Sequence, residues 1–126
     1  MKNVSQLEKL DTQTLKYLLK NAVVEKQENT QADFMKFVKT VWPEFIEGKH
    51  HKIYAEKLNR IANGELKRLI VNMPPRHTKS EFASHLFPAF YMGRHPKSKL
   101  IQTTHTGELA IRFGRKAKNL IESEEY

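Results

Sequence analysis

At 126 residues, 39% of them hydrophobic and 29% charged, the chain has the size and composition of one globular domain or part of a larger one, and disorder is set aside. No apolar run approaches the roughly 18 residues of a membrane span, and the first residues form no signal-peptide core. The absence of cysteine excludes disulfides and thiolate metal sites and fits a reducing compartment.

The formal net charge of +8 is unevenly placed: residues 1–48 hold seven Lys/Arg and seven Asp/Glu, whereas residues 49–126 hold fifteen against seven. The excess lies wholly in the second part. Two readings of it stand: a polyanionic partner (nucleic acid or nucleotide) or a basic solvated surface.

Residues 11–28 read as an amphipathic helix capped by Asp11, with Leu15, Leu18, Leu19, Ala22 and Val23 at helical spacing. Asn29-Thr30 should break it. Thr30 with Asp33 three residues on resembles a capping box opening a second helix, with the apolar stripe Phe34, Phe37, Val38, Val41 and Trp42. Those aromatics read as core rather than as a base-stacking platform. Pro43 should end that helix, because the residue before proline is pushed out of the α region. A third helix is expected from His50 to Asn63, with Ile53, Tyr54, Leu58 and Ile61 inward and Gly64 at its C-terminal cap. His50-His51 invites a metal reading, but neighbours on a helix point about 100° apart. No further residue completes a ligand set at a recognisable spacing.

Arg68–Asn72 is a short β-compatible run and the first expected strand. After a turn rich in proline and basic residues, a helix should run from Lys79 to Met92. Pro88 lies inside it and should kink it near Ser84, whose carbonyl loses its partner. Lys99–Thr104 reads as a second strand, and Thr106 as the cap of a last long helix with Leu109, Phe113, Ala117 and Leu120 inward. The order strand–helix–strand–helix predicts an α/β fold with a parallel sheet and right-handed crossovers. Residues 1–48 form a helical lead-in segment.

The turn before Lys79 carries the chemistry. A strand, a tight loop, Lys-Ser and a helix are the parts of a phosphate loop. In such a loop backbone N–H groups cradle the phosphates, a lysine reaches the β/γ oxygens and a hydroxyl binds magnesium. Lys79 and Ser80 are placed for the last two tasks. Against the pattern G-x-x-x-x-G-K-[ST], however, Met73 stands at the first glycine and Thr78 at the second. Pro74-Pro75 offers another way to fix the turn. Thr78 is the greater departure, being β-branched where glycine gives conformational freedom. The bare residues fit either a nucleotide loop or a basic strand–helix turn.

At MPPRHTKSE the sequence resembles the large terminase subunit of tailed bacteriophages, the ATPase that drives DNA into procapsids. The likeness extends through FIEGKHHKIYAEKLNRIANGELKRLIVNMPPRHTKSEFAS and FPAFYMGRHPKSKLIQTTHTGELAIRFGRKAKNLI, covering residues 31–126. It implies a RecA-like P-loop domain preceded by a helical segment, with residues 49–126 its first portion and a nuclease domain of RNase H-like fold further along the full-length protein. It also implies ATP and Mg2+ as cofactors. Pro75, Arg76, His77, Thr78, Lys79 and Ser80 would surround the phosphates. Lys79 would neutralise β/γ charge, Ser80 would ligate magnesium, and Arg76 would sense or stabilise the γ-phosphate. The implied partners are double-stranded viral DNA, a portal protein and a small terminase subunit, in a ring oligomer in the cytoplasm of the infected bacterial host, with no membrane. Arg112, Arg115, Lys116 and Lys118 are the candidate DNA contacts.

Hydrolysis also needs an apolar strand ending in Asp plus a water-orienting acid, yet the two aspartates, Asp11 and Asp33, both precede the loop. No carboxylate cluster for a nuclease is present either. The expectation is the opening portion of such an ATPase, an incomplete domain that neither hydrolyses ATP efficiently nor cuts DNA. An unpaired sheet edge should leave it marginally stable and prone to aggregate. Two further functions compete: a helicase-like P-loop ATPase fragment, and a small basic DNA-binding or adaptor module without catalysis.

Overall fold

A computed structural model of the chain describes residues 12–124 and 126, and the backbone alone of residues 26–30. Local capping chemistry sets most helix ends. Helix α1 spans Thr12–Ala32; its expected cap, Asp11, lies outside the described residues. It runs through Asn29-Thr30 and stops at Asp33 instead. There the backbone is extended (φ −136°, ψ 122°) and the carboxylate accepts the Lys36 N–H at 3.0 Å, opening α2, Phe34–Val41. The cap is therefore Asp33, not Thr30, since an Asp at the break needs no capping box to start a helix. Trp42, before Pro43, leaves the helical region (φ −138°, ψ 76°) and ends α2 as proline requires. Helix α3 covers Lys49–Ala62, and Gly64 just beyond it takes φ +79°.

Helix α4 begins as Lys79–Glu81, widens into a π-helical stretch over Phe82–Leu86 and continues as Phe87–Arg94. The widening sits where Pro88, lacking an N–H, disturbs the ladder: the Phe87 N–H bonds the Phe82 carbonyl, five residues back. The Ser84 carbonyl gains an outside partner, the Gln102 side-chain amide at 3.1 Å. Helix α5 spans Gly107–Ile121, and the Thr106 hydroxyl accepts the Leu109 N–H as its cap.

The parallel sheet is the expectation that fails. Among the described residues the chain is all-helical, with no strand, and neither Arg68–Asn72 nor Lys99–Thr104 enters a ladder. Along the first segment Leu69, Val71 and Met73 pack against the core while Ile70 is 88% exposed, so the side chains alternate as a strand's would. Alternation specifies which side chains are buried, but pairing needs a second backbone in register. The second segment supplies none: Ile101 is 91% exposed. The α/β class and the RecA-like parallel sheet are therefore not seen, and with them goes the unpaired sheet edge.

The core is built instead from α2, α3 and α4. Phe34, Phe37 and Val38 meet Tyr54, Leu58, Phe82, Leu86 and Phe90. The Phe34 ring lies edge-on to Phe82 and Phe90, both at 5.3 Å, a favoured aromatic geometry. The Phe34 N–H also donates to the Asn59 side-chain oxygen at 2.8 Å, and the Asn59 amide donates to Asp33, which joins the α2 cap to α3. Phe34 and Phe37 are core as expected, whereas Trp42 stays partly exposed against Phe45. Two apolar faces depart from the predicted pattern. Ile53 points outward from α3, its place taken by Ala55 and Ala62, and Leu18, Leu19 and Val23 of α1 are exposed.

Candidate functional site

The segment before α4 brings the predicted loop residues together. Pro75, Arg76 and His77 are exposed, Thr78 and Lys79 are half-buried, and Ser80 is exposed in the first turn of α4. Among the described residues two non-glycines have positive φ, Arg76 at 63° and Thr78 at 58°. With ψ 7°, Thr78 occupies the left-handed region, which costs a residue with a Cβ roughly 1–2 kcal/mol. Thr78 thus stands at the second glycine of the motif and adopts a conformation for which glycine is ordinarily chosen. The first intrahelical bond of α4 runs from the Phe82 N–H to the Thr78 carbonyl at 2.9 Å. The N–H groups of Lys79, Ser80 and Glu81 precede it and have no acceptor of their own in the helix. The Lys79 ammonium spans the loop to the Met73 carbonyl at 3.4 Å, and His77 Nδ1–H donates to the Pro75 carbonyl at 2.9 Å.

A second group stands behind the loop. His51 is 7% exposed in the first turn of α3. Its Nδ1 accepts the Gly48 N–H at 2.9 Å, so its Nε2 carries the proton and donates to the Thr78 hydroxyl at 2.7 Å. That hydroxyl donates in turn to the His77 carbonyl at 2.7 Å. Burial and the neighbouring His50 ring, against an upward pull from Glu47 and with a smaller push from His77, hold His51 below the usual histidine value. The folded chain therefore binds this proton less readily than the unfolded chain. The stability linked to His51 is complete above the ordinary value near 6.5 and is lost as pH falls through the lowered folded value. Urea unfolding should show a lower midpoint at pH 5.5 than at pH 7.5 in the wild type, and His51→Gln should flatten that difference. Equal slopes in the two proteins would remove His51 as the cause.

The basic side chains of α5 fall into two sets. Arg112, Arg115 and Lys118 are exposed, with Lys118 3.7 Å from Glu122. Lys116 instead bonds Glu81 at 2.6 Å, and Glu81 also meets His85 Nδ1 at 3.0 Å. Burial alone would raise the Glu81 carboxyl, but Lys116 and His85 together hold it below the ordinary carboxylate value. The carboxylate in the first turn of α4 is thus compensated by a cation from α5.

Sequence reasoning missed three residues here: His51, Glu81 and His85. A signal for His51 existed in its position three residues after Gly48, where a side chain can accept the backbone N–H that precedes a helix. Its contact with Thr78, 27 residues away, had no signal. The described residues hold no group of three or more His, Cys, Asp or Glu side chains placed to bind a metal ion. No described helix is long and apolar enough to cross a membrane. Comparison of the chain with family models, with curated proteins and with solved structures finds no match.

Proposed function

We propose that residues 73–80 bind the polyphosphate of ATP, and that the chain is a portion of a packaging ATPase of the phage large-terminase kind. The observation that carries the nucleotide reading is the left-handed backbone of Thr78 directly before Lys79. A glycine conformation is held there by a residue that resists it, and strained backbone of this kind is concentrated at ligand-binding sites. The backbone N–H groups of Lys79 and Ser80 and the Lys79 ammonium would receive the β- and γ-phosphates. Arg76, exposed on the same loop, would meet the γ-phosphate.

Magnesium fits this arrangement as a companion of the nucleotide rather than as a resident ion. Ser80 offers one exposed hydroxyl beside the phosphate position, and among the described residues no carboxylate cluster is assembled to hold the metal alone. When bound, the ion would neutralise phosphate charge. The terminase assignment itself rests on the motif and its flanks. It brings double-stranded DNA, a portal protein, a small subunit, a ring assembly and the host cytoplasm as proposals.

Calorimetry with Mg–ATP and with Mg–AMP tests the site. Binding of ATP with little or no binding of AMP is expected, since the loop reads phosphates beyond the first. Equal affinity for the two would contradict a polyphosphate site.

A second reading draws on α5, where Arg112, Arg115 and Lys118 are exposed. These residues suit a nucleic-acid backbone whether or not ATP is bound. Charge reversal at the three positions should then weaken DNA binding and flatten its salt dependence. Unchanged DNA affinity would remove that role.

A further inference from the structure

We propose that His51 is the positioning residue of the phosphate loop: its Nε2–H holds the Thr78 hydroxyl and so keeps residue 78 in the left-handed backbone that orients the Lys79 and Ser80 amides. This rests on the nucleotide reading of the loop and names what holds that loop in shape.

His51 is the one buried polar or charged residue among those described. Buried polar groups are retained where their partners are complete, and here both ring nitrogens are used. Gly48 fixes the tautomer from one side, at 2.9 Å, and Thr78 receives the proton on the other, at 2.7 Å. The ring has little freedom to swing away. Phe45 lies edge-on to it at 4.8 Å, and Phe82 packs on it at 5.5 Å. The hydroxyl it holds then donates to the His77 carbonyl at 2.7 Å. The result is a relay from the Gly48 amide to the His77 carbonyl that passes through two side chains.

The residue at the loop end of this relay is the one that needs holding. A β-branched side chain resists the left-handed region, and a solvent-facing loop would relieve that strain by moving residue 78 back to ordinary dihedrals. The contact from α3 opposes that relaxation. Glycine at position 78 would need no such clamp, because it enters the region at little cost. The two positions are therefore coupled: His51 matters to the loop because residue 78 is threonine.

Mg–ATP calorimetry at pH 7.5 on the full chain tests it through substitutions at residues 51 and 78, with Lys79→Ala as the reference for the site itself. His51→Phe keeps an aromatic ring but cannot donate, and should weaken binding about tenfold, the usual scale for one lost hydrogen bond. His51→Gln keeps a side-chain amide able to donate to Thr78 and should stay within about threefold of wild type. In a Thr78→Gly background, His51→Phe should change affinity by no more than about twofold. Should His51→Phe fail to fold, Thr78→Val reports the same bond from the loop side without touching the core, and should lose about as much affinity as is expected of the ring variant. A similar loss from His51→Phe in both backgrounds, a His51→Gln as damaging as His51→Phe, or an unaffected Thr78→Val would each overturn the positioning role. No binding by the wild type would instead sink the nucleotide reading itself. Binding that Lys79→Ala removes but that is indifferent to residues 51 and 78 would sink only the clamp.

Discussion

Lys79→Ala is expected to weaken Mg–ATP binding on the order of 100-fold, the scale of losing a charge-assisted contact to phosphate. The ammonium is half-buried and reaches across the loop to the Met73 carbonyl at 3.4 Å. That bond is long, so its loss should leave stability within about 0.5 kcal/mol of wild type. The two readouts therefore separate. Calorimetry should show binding weakened on that scale, while the thermal midpoint and helical circular dichroism stay where they were. A variant that binds ATP as the wild type does would remove Lys79 from the site. A variant that unfolds would make the lysine a structural residue.

Phe34→Ala has the largest expected effect on stability, a loss of about 3–5 kcal/mol. The Phe34 ring is fully buried, with Phe82 and Phe90 at 5.3 Å and Phe87 at 5.9 Å. It sits where α2 and α4 meet, beside the start of the π-helical stretch. A truncation there opens a cavity among these rings, and whatever volume the neighbours do not refill adds to the transfer cost. Against a total stability of about 5–15 kcal/mol for a typical domain, such a loss leaves little margin. Thermal unfolding should move down by more than 10 °C, on the rough scale of about 4 °C per kcal/mol for a chain of this size. Ile53→Ala serves as the contrast: that side chain is 62% exposed, and its truncation should cost no more than about 0.5 kcal/mol. If the two substitutions cost the same, the packing of α2 against α4 is not what holds the domain together.

The features legible in the sequence are those decided by a few neighbouring residues. Pro43 ends α2, Gly64 follows α3 with positive φ, and Thr106 caps α5, each by chemistry contained within one helical turn. Where two caps compete, the outcome depends on packing. Thr30 and Asp33 both offer a start, and Asp33 prevails because Asn59 of α3 meets its second oxygen. Pro88 was legible as a disturbance of α4, although its form, a π-helical stretch, depends on how Phe82 and Leu86 seat in the core. The expected sheet does not form among the described residues: the apolar run Leu69, Ile70 and Val71 is β-compatible in sequence, but a strand also needs a second backbone in register, which no local pattern supplies. The candidate site divides in the same way. Lys79 and Ser80 follow from their place after the turn, whereas His51 on Thr78 and Lys116 on Glu81 are contacts 27 and 35 residues apart in sequence. Such contacts are made by the packing of α3 and α5 around α4, which no local pattern encodes.

Titration of Mg–ATP into the 15N-labelled chain, followed by amide chemical shifts, is the most direct test of the phosphate loop. The shifts should centre on Arg76, Thr78, Lys79 and Ser80, extend to His51 through its bond with Thr78, and be absent in Lys79→Ala. Shifts confined to α5 around Arg112 and Arg115, or no change at saturating nucleotide, would contradict it.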